Sequence, residues 1–153
     1  MKSKLLIFTI LVSLFFACSK DKFQTKPQLK LKSLSTNVVA PAGNLRVLLE
    51  CTDKEGDVDD SILVVRQRLN KKGLLTLPPS PYKIPEFPNT STAEFEITLN
   101  YQFGLVFGIP PIRIPGTIGN LNEPDTLNLK IVARDKAGNK SDTLLISNIV
   151  VIR

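Results

Sequence analysis

The chain has 153 residues, 20 of them basic and 14 acidic, for a formal charge of +6; this length suits one domain with a single core and would cramp a second. It contains no histidine, which removes the commonest general base and the commonest metal ligand and, with them, most hydrolase triads and zinc sites. Its basic residues form no run longer than a pair, so the charge does not imply a nucleic-acid partner.

Lys2 and Lys4 precede an apolar run from Leu5 to Phe16, interrupted only by Thr9 and Ser13 and followed by Ala17 and Cys18. The run falls short of the roughly 18 to 20 apolar residues that a membrane-spanning helix needs, and its tripartite form predicts a signal peptide. Its end, Leu14-Phe15-Phe16-Ala17-Cys18, resembles the lipobox of bacterial lipoproteins, in a Bacteroidota-like form with Phe15 where leucine is usual. The resemblance implies a signal peptide over residues 1–17 and lipidation of Cys18, which would become the amino terminus. It also implies attachment to a membrane of the cell envelope, the outer membrane, through that lipid. Residues 18–26, polar and without period, read as an acylated tether. With Cys18 acylated, Cys51 has no disulfide partner and is expected to be a buried small hydrophobe.

From Pro27 the hydrophobic period becomes two. Leu29 and Leu31 against Lys30 and Lys32 predict a first, edge strand, and Pro41-Ala42-Gly43-Asn44 predicts a turn. Leu45, Val47, Leu49 and Cys51 form a second strand, and the β-branched run Ile62 to Leu69 a third, central one. The prolines between Lys71 and Thr92 forbid a continuous strand and predict an extended crossover. Ala93, Phe95, Ile97 and Leu99 alternate cleanly with Glu94, Glu96 and Thr98. Tyr101 to Pro124, apolar but broken by glycine and proline, predicts a loop or short hairpin. Leu127 to Arg134 and Thr143 to Ile152 complete the set. Short strands parted by turns, without a sustained helical period, predict an all-β antiparallel sandwich of about seven strands over residues 27–153. The alternation puts Val47, Leu49, Val65, Phe95, Ile97, Leu129 and Ile131 in its core.

Val132-Ala133-Arg134-Asp135-Lys136-Ala137-Gly138-Asn139-Lys140-Ser141 resembles the last hairpin of bacterial immunoglobulin-like domains, and Asp53-Lys54-Glu55-Gly56-Asp57 resembles the acidic turn after their second strand. The resemblance implies an immunoglobulin-like sandwich and says little of activity, because such sandwiches host many functions.

Asp53, Glu55, Asp57 and Asp59 crowd around Gly56, and the expected topology brings the turn at Asp135 to the same end. Together they are a candidate structural calcium site, since hard cations take six to eight oxygens. The plainer reading is a solvated turn with Gly56 at positive φ and no cofactor. Phe103, Phe107, Ile112 and Ile114 lie in the apolar insertion and are candidate partner-binding residues if the loop is exposed. Without histidine or a Ser-x-x-Lys motif no catalytic constellation is apparent, so the chain is not expected to be an enzyme. The expected function is a membrane-anchored, non-catalytic interaction module for an envelope protein. The alternative, glycan binding or an accessory role in a larger envelope assembly, would ordinarily want aromatic platforms; the chain has no tryptophan and two tyrosines.

Overall fold

The computed structural model describes residues 26–54, 56, 61–86, 90–117, 119 and 121–153. Among them nine strands follow in order: β1 (Gln28–Leu34), β2 (Val38–Val39), β3 (Asn44–Thr52), β4 (Ser61–Arg68), β5 (Leu75–Thr76), β6 (Ser80–Lys83), β7 (Thr92–Asn100), β8 (Asp125–Arg134) and β9 (Leu144–Val151). One sheet has the order β1-β3-β7 and the other β2-β9-β8-β4-β5, with β6 also paired to β4. Every described pairing is antiparallel except that of β2, which runs parallel to β9. The chain thus enters on one sheet and crosses to the other before returning as β3, and the whole is an all-β sandwich. The signal peptide, Cys18 and all but the last residue of the tether lie outside the described residues.

The period-two alternation of β3 and β7 turns Leu45, Val47, Leu49 and Cys51, with Ala93, Phe95, Ile97 and Leu99, into the interior. They meet Ile62, Val64, Leu127, Leu129, Ile131, Ala133, Ile146, Ile149 and Val151 of the other sheet. Cys51 is a free, buried thiol, as expected of a small hydrophobe. On the solvent side of the smaller sheet, Lys32 bridges Glu50 and Glu94, each at 2.9 Å, across all three strands. That contact holds the Glu50 carboxyl below its ordinary pKa.

One core assignment is corrected. Val65 is not an interior residue of β4: the buried positions are Ile62, Val64, Arg66 and Arg68, and Val65 is half-buried on the opposite face. Ile62, Leu63, Val64 and Val65 are all apolar, so hydrophobicity cannot distinguish their faces. The proline-rich crossover also differs in detail. Leu75–Thr76 and Ser80–Lys83 hydrogen-bond to the two halves of β4, and the chain leaves the ladder at Pro78-Pro79 between them. Proline is tolerated there because β5 and β6 form the edge of the sheet.

Pairing fixes which loops share an end. Gln28 faces Thr52, Thr52 faces Thr92, and Ser61 faces Arg134, so the start of β1, the acidic turn and the β8–β9 turn occupy one pole. Asn44 faces Asn100, Arg68 faces Leu127, and Asp125 faces Val151, so the β2–β3 turn, the segment after β4, the long insertion and the carboxyl terminus occupy the other. Among the described residues no helix is long and apolar enough to cross a membrane.

Candidate functional site

The insertion begins with one turn of π-helix, Tyr101–Val106, which sequence reading missed in expecting only a loop or hairpin. Asn100 caps it: its side-chain oxygen accepts hydrogen bonds from the backbone N–H of Phe103 (2.7 Å) and Gly104 (3.2 Å). Gly104 allows the turn to press on β7, since a Cβ there would lie 2.8 Å from the Cα of Leu99. Leu105 and Ile109 plug the core, whereas Phe103 and Phe107 are 69% and 64% exposed. Their rings tilt together with centroids 6.3 Å apart. A small hairpin follows. The N–H of Ile114 donates to the carbonyl of Leu121 (3.0 Å) and that of Glu123 to the carbonyl of Ile112 (2.7 Å). Ile112 is half-buried beside Gly73, and Ile114, like Leu74 and Leu121, is exposed.

Buried charge holds this insertion in place. Arg66 donates through Nη1 to the carbonyls of Leu105 (3.2 Å) and Phe107 (3.0 Å). Arg68 donates through Nε to the carbonyl of Gly73 (2.6 Å), and through Nη1 to the carbonyl of Pro110 (2.6 Å) and to Oδ1 of Asp125 (3.2 Å). Arg153 meets Oδ2 of Asp125 at 2.6 Å and donates to the carbonyl of Ile109. Asp125 is fully buried. Asn70 donates to Glu123 (2.7 Å) and to the carbonyl of Pro124 (2.9 Å), while its own oxygen accepts from the N–H of Thr126 (2.9 Å). The Tyr101 hydroxyl donates to the carbonyl of Ile152 at 3.0 Å. Burial lowers the pKa of Arg66 and raises that of the neighbouring Tyr82 hydroxyl; an arginine remains charged under such a shift.

The physical logic is one of acceptors in excess. Pro110 and Pro111 carry carbonyls but no N–H, and a non-repetitive backbone over a core has few partners of its own. Guanidinium groups, with five donors and no acceptor, suit such a surface. The result is a fixed frame from which two phenylalanines project. Lys71, Lys72 and Arg113, next in sequence to Gly73 and Ile112 at this pole, are exposed. Beside Phe103 lies a concavity of about 360 Å³ lined by Ala42, Gly43, Asn100, Tyr101, Gln102 and Phe103.

Of the sequence-predicted partner residues, Phe103, Phe107, Ile112 and Ile114 therefore share one pole. Sequence reading missed the residues that hold them: Arg66, Arg68, Asn70, Asp125 and Arg153. Its one available signal was parity, because Arg66 and Arg68 stand two and four residues from Val64. Of the candidate calcium ligands, Asp53 and Asp135 are buried at the opposite pole, and Glu55, Asp57 and Asp59 lie outside the described residues. Among the described residues no three acidic or sulfur side chains converge on a common point.

No protein-family model matches the chain, and no curated protein is significantly similar to it.

Proposed function

We propose that this chain is a non-catalytic interaction module, tethered to the outer membrane by a lipid on Cys18, that docks an envelope protein through the Phe103–Phe107 pole. The observation that carries the reading is the combination of two largely exposed phenylalanines with a backbone held by buried arginines. Apolar residues projected from a fixed frame bury area on binding without the entropic cost of ordering a loop. Ile114, Leu121 and Leu74 at the same pole are also exposed, as are Lys71, Lys72 and Arg113. The partner surface that complements it is an apolar pocket rimmed by carboxylates. A protein is favoured over a glycan because two of the polar groups beside Phe103 are already engaged, the Asn100 side-chain oxygen in capping the π-turn and the Tyr101 hydroxyl in its bond to Ile152.

Replacing Phe103 and Phe107 with serine tests this. Photo-crosslinking in intact cells should trap a defined protein with the wild type and not with the double variant, while the purified variant melts within about two degrees of the wild type, as for surface changes. A melting point lower by several degrees, or unchanged crosslinking, would refute the reading.

A further inference from the structure

The two poles treat buried charge differently. At the insertion pole the one buried carboxylate, Asp125, meets Arg68 and Arg153. At the acidic pole the interior side of each sheet ends in a carboxylate. Asp53 is the next inward position after Cys51 on β3, and Asp135 the next after Ala133 on β8. Asp53 is 2% exposed, and among the described residues neither of its carboxylate oxygens has a hydrogen-bond partner. Its backbone N–H is satisfied by the carbonyl of Ser91 at 2.9 Å, so the strand end is ordered and the anomaly belongs to the side chain alone. Asp135 is equally buried, and among the described residues its oxygens accept only from the backbone and side-chain N–H groups of Asn139, at 2.7 and 2.9 Å. Neither carboxylate makes an ion pair with a described residue.

A buried carboxylate without donors is among the costliest arrangements in a protein. Here there are two acids at one pole, one with no donor among the described residues and the other with a lone pair to spare on each oxygen. From these facts we infer that the acidic pole binds one hard divalent cation of the calcium type, with the Asp53 carboxylate as its anchoring ligand and Asp135 as the contribution of the opposite sheet. Calcium accepts carboxylates, backbone carbonyls and water in a flexible shell of six to eight oxygens, which suits a site made where strands end. Magnesium demands a near-ideal octahedron and gives up water reluctantly, so it should compete poorly. The cation would perform no chemistry. It would neutralise the pole and join the ends of β3 and β8, one from each sheet.

The test uses the full chain in detergent after treatment with chelator. Isothermal titration with calcium chloride should give saturable binding near one equivalent, a parallel titration with magnesium chloride should give at least tenfold weaker binding, and the melting temperature should rise by several degrees in calcium relative to EDTA. Asp53→Asn should abolish the calcium-dependent rise. In EDTA it should melt at or above the wild type, because it replaces an uncompensated buried charge by a neutral amide. That crossing of order between the two buffers would not arise from a purely structural aspartate. Absence of binding and of any melting shift at millimolar calcium, which the wild type alone decides, would overturn the proposal. So would an Asp53→Asn variant that keeps the wild-type response, or one that loses the same stability in both buffers. All three outcomes are independent of the phenylalanine variants at the other pole.

Discussion

Asp125 offers the most direct test of how the insertion is held. It is fully buried, and the guanidinium groups of Arg68 and Arg153 approach its two oxygens at 3.2 and 2.6 Å. Asp125→Ala removes the acceptor and leaves two buried cations facing each other across the space. Breaking a buried ion pair by deleting one partner costs about 3–5 kcal/mol, most of it the solvation that the stranded charge cannot recover. For a domain of this size that corresponds to a melting point lower by roughly 10–20 °C. Urea titration followed by circular dichroism would measure the loss, with an unchanged m-value as the condition for reading it as stability. Hydrogen exchange should show faster protection loss at Gly104–Ile109, because Arg68 and Arg153 also donate to Pro110 and Ile109. A second variant separates charge from volume. Arg68→Met in the Asp125→Ala background should restore part of the loss, giving a favourable coupling of at least about 1 kcal/mol. A loss below about 1 kcal/mol for Asp125→Ala, or strict additivity in the double variant, would show that water reaches the three groups and that the insertion is not held as described.

Two further outcomes follow from other close contacts. Gly104→Ala should destabilise the fold by about 1–3 kcal/mol, since the new methyl would meet the Leu99 backbone and not a movable side chain; neutral or improved stability in urea titration would mean that the π-turn has room to shift. The Cys51 thiol is pushed up to about 12 by burial first and the neighbouring Asp53 charge second. The unfolded thiol ionises near 8.5, so between those values the folded state holds the proton that the unfolded state releases, and stability must fall as pH rises. The wild type should therefore lose stability between pH 8.5 and 10.5 more steeply than Cys51→Val, by at most about 1.4 kcal/mol per pH unit; parallel curves for the two proteins would contradict the assignment.

The strands of the smaller sheet were readable from sequence because each has one wet face. Leu45, Val47, Leu49 and Cys51, and their partners Ala93, Phe95, Ile97 and Leu99, alternate with neighbours that are polar or charged except Leu48, and the registers of β3 and β7 follow from that pattern. β4 was readable as a strand but not in its orientation. Its outward face also carries apolar residues, the half-buried Leu63 and Val65, and the two arginines that point inward resemble ordinary surface charge. The exposed phenylalanines were identifiable as candidates because the insertion carries too much glycine and proline for a regular element. Their support was not, because a buried arginine is recognised by the carbonyls it meets, and those lie about forty residues away in the chain and carry no side-chain signature. β2 and β5 escaped notice for a simpler reason: two residues are too few to show a period.

The arginines also bear on why the insertion keeps its hydrophobic surface outward. An apolar segment of this composition, left to itself, would fold Phe103 and Phe107 onto the end of the sandwich, since burying a phenylalanine side chain is worth about 1.5–3 kcal/mol. That position is already taken. Leu105 and Ile109 fill the end of the core, and the carbonyls of Leu105, Phe107, Ile109 and Pro110 are turned inward to buried guanidinium groups. Rotating the backbone to bury either ring would withdraw one or more of these carbonyls from a charged donor, at about 1.5–3 kcal/mol for each bond lost, and would leave the guanidinium buried without its acceptor. The two costs together exceed the gain from one ring. The outward phenylalanines are therefore held there by the buried polar layer beneath them, and weakening that layer at Arg66 should draw Phe107 inward, a change that quenching of a fluorophore placed at residue 107 would detect.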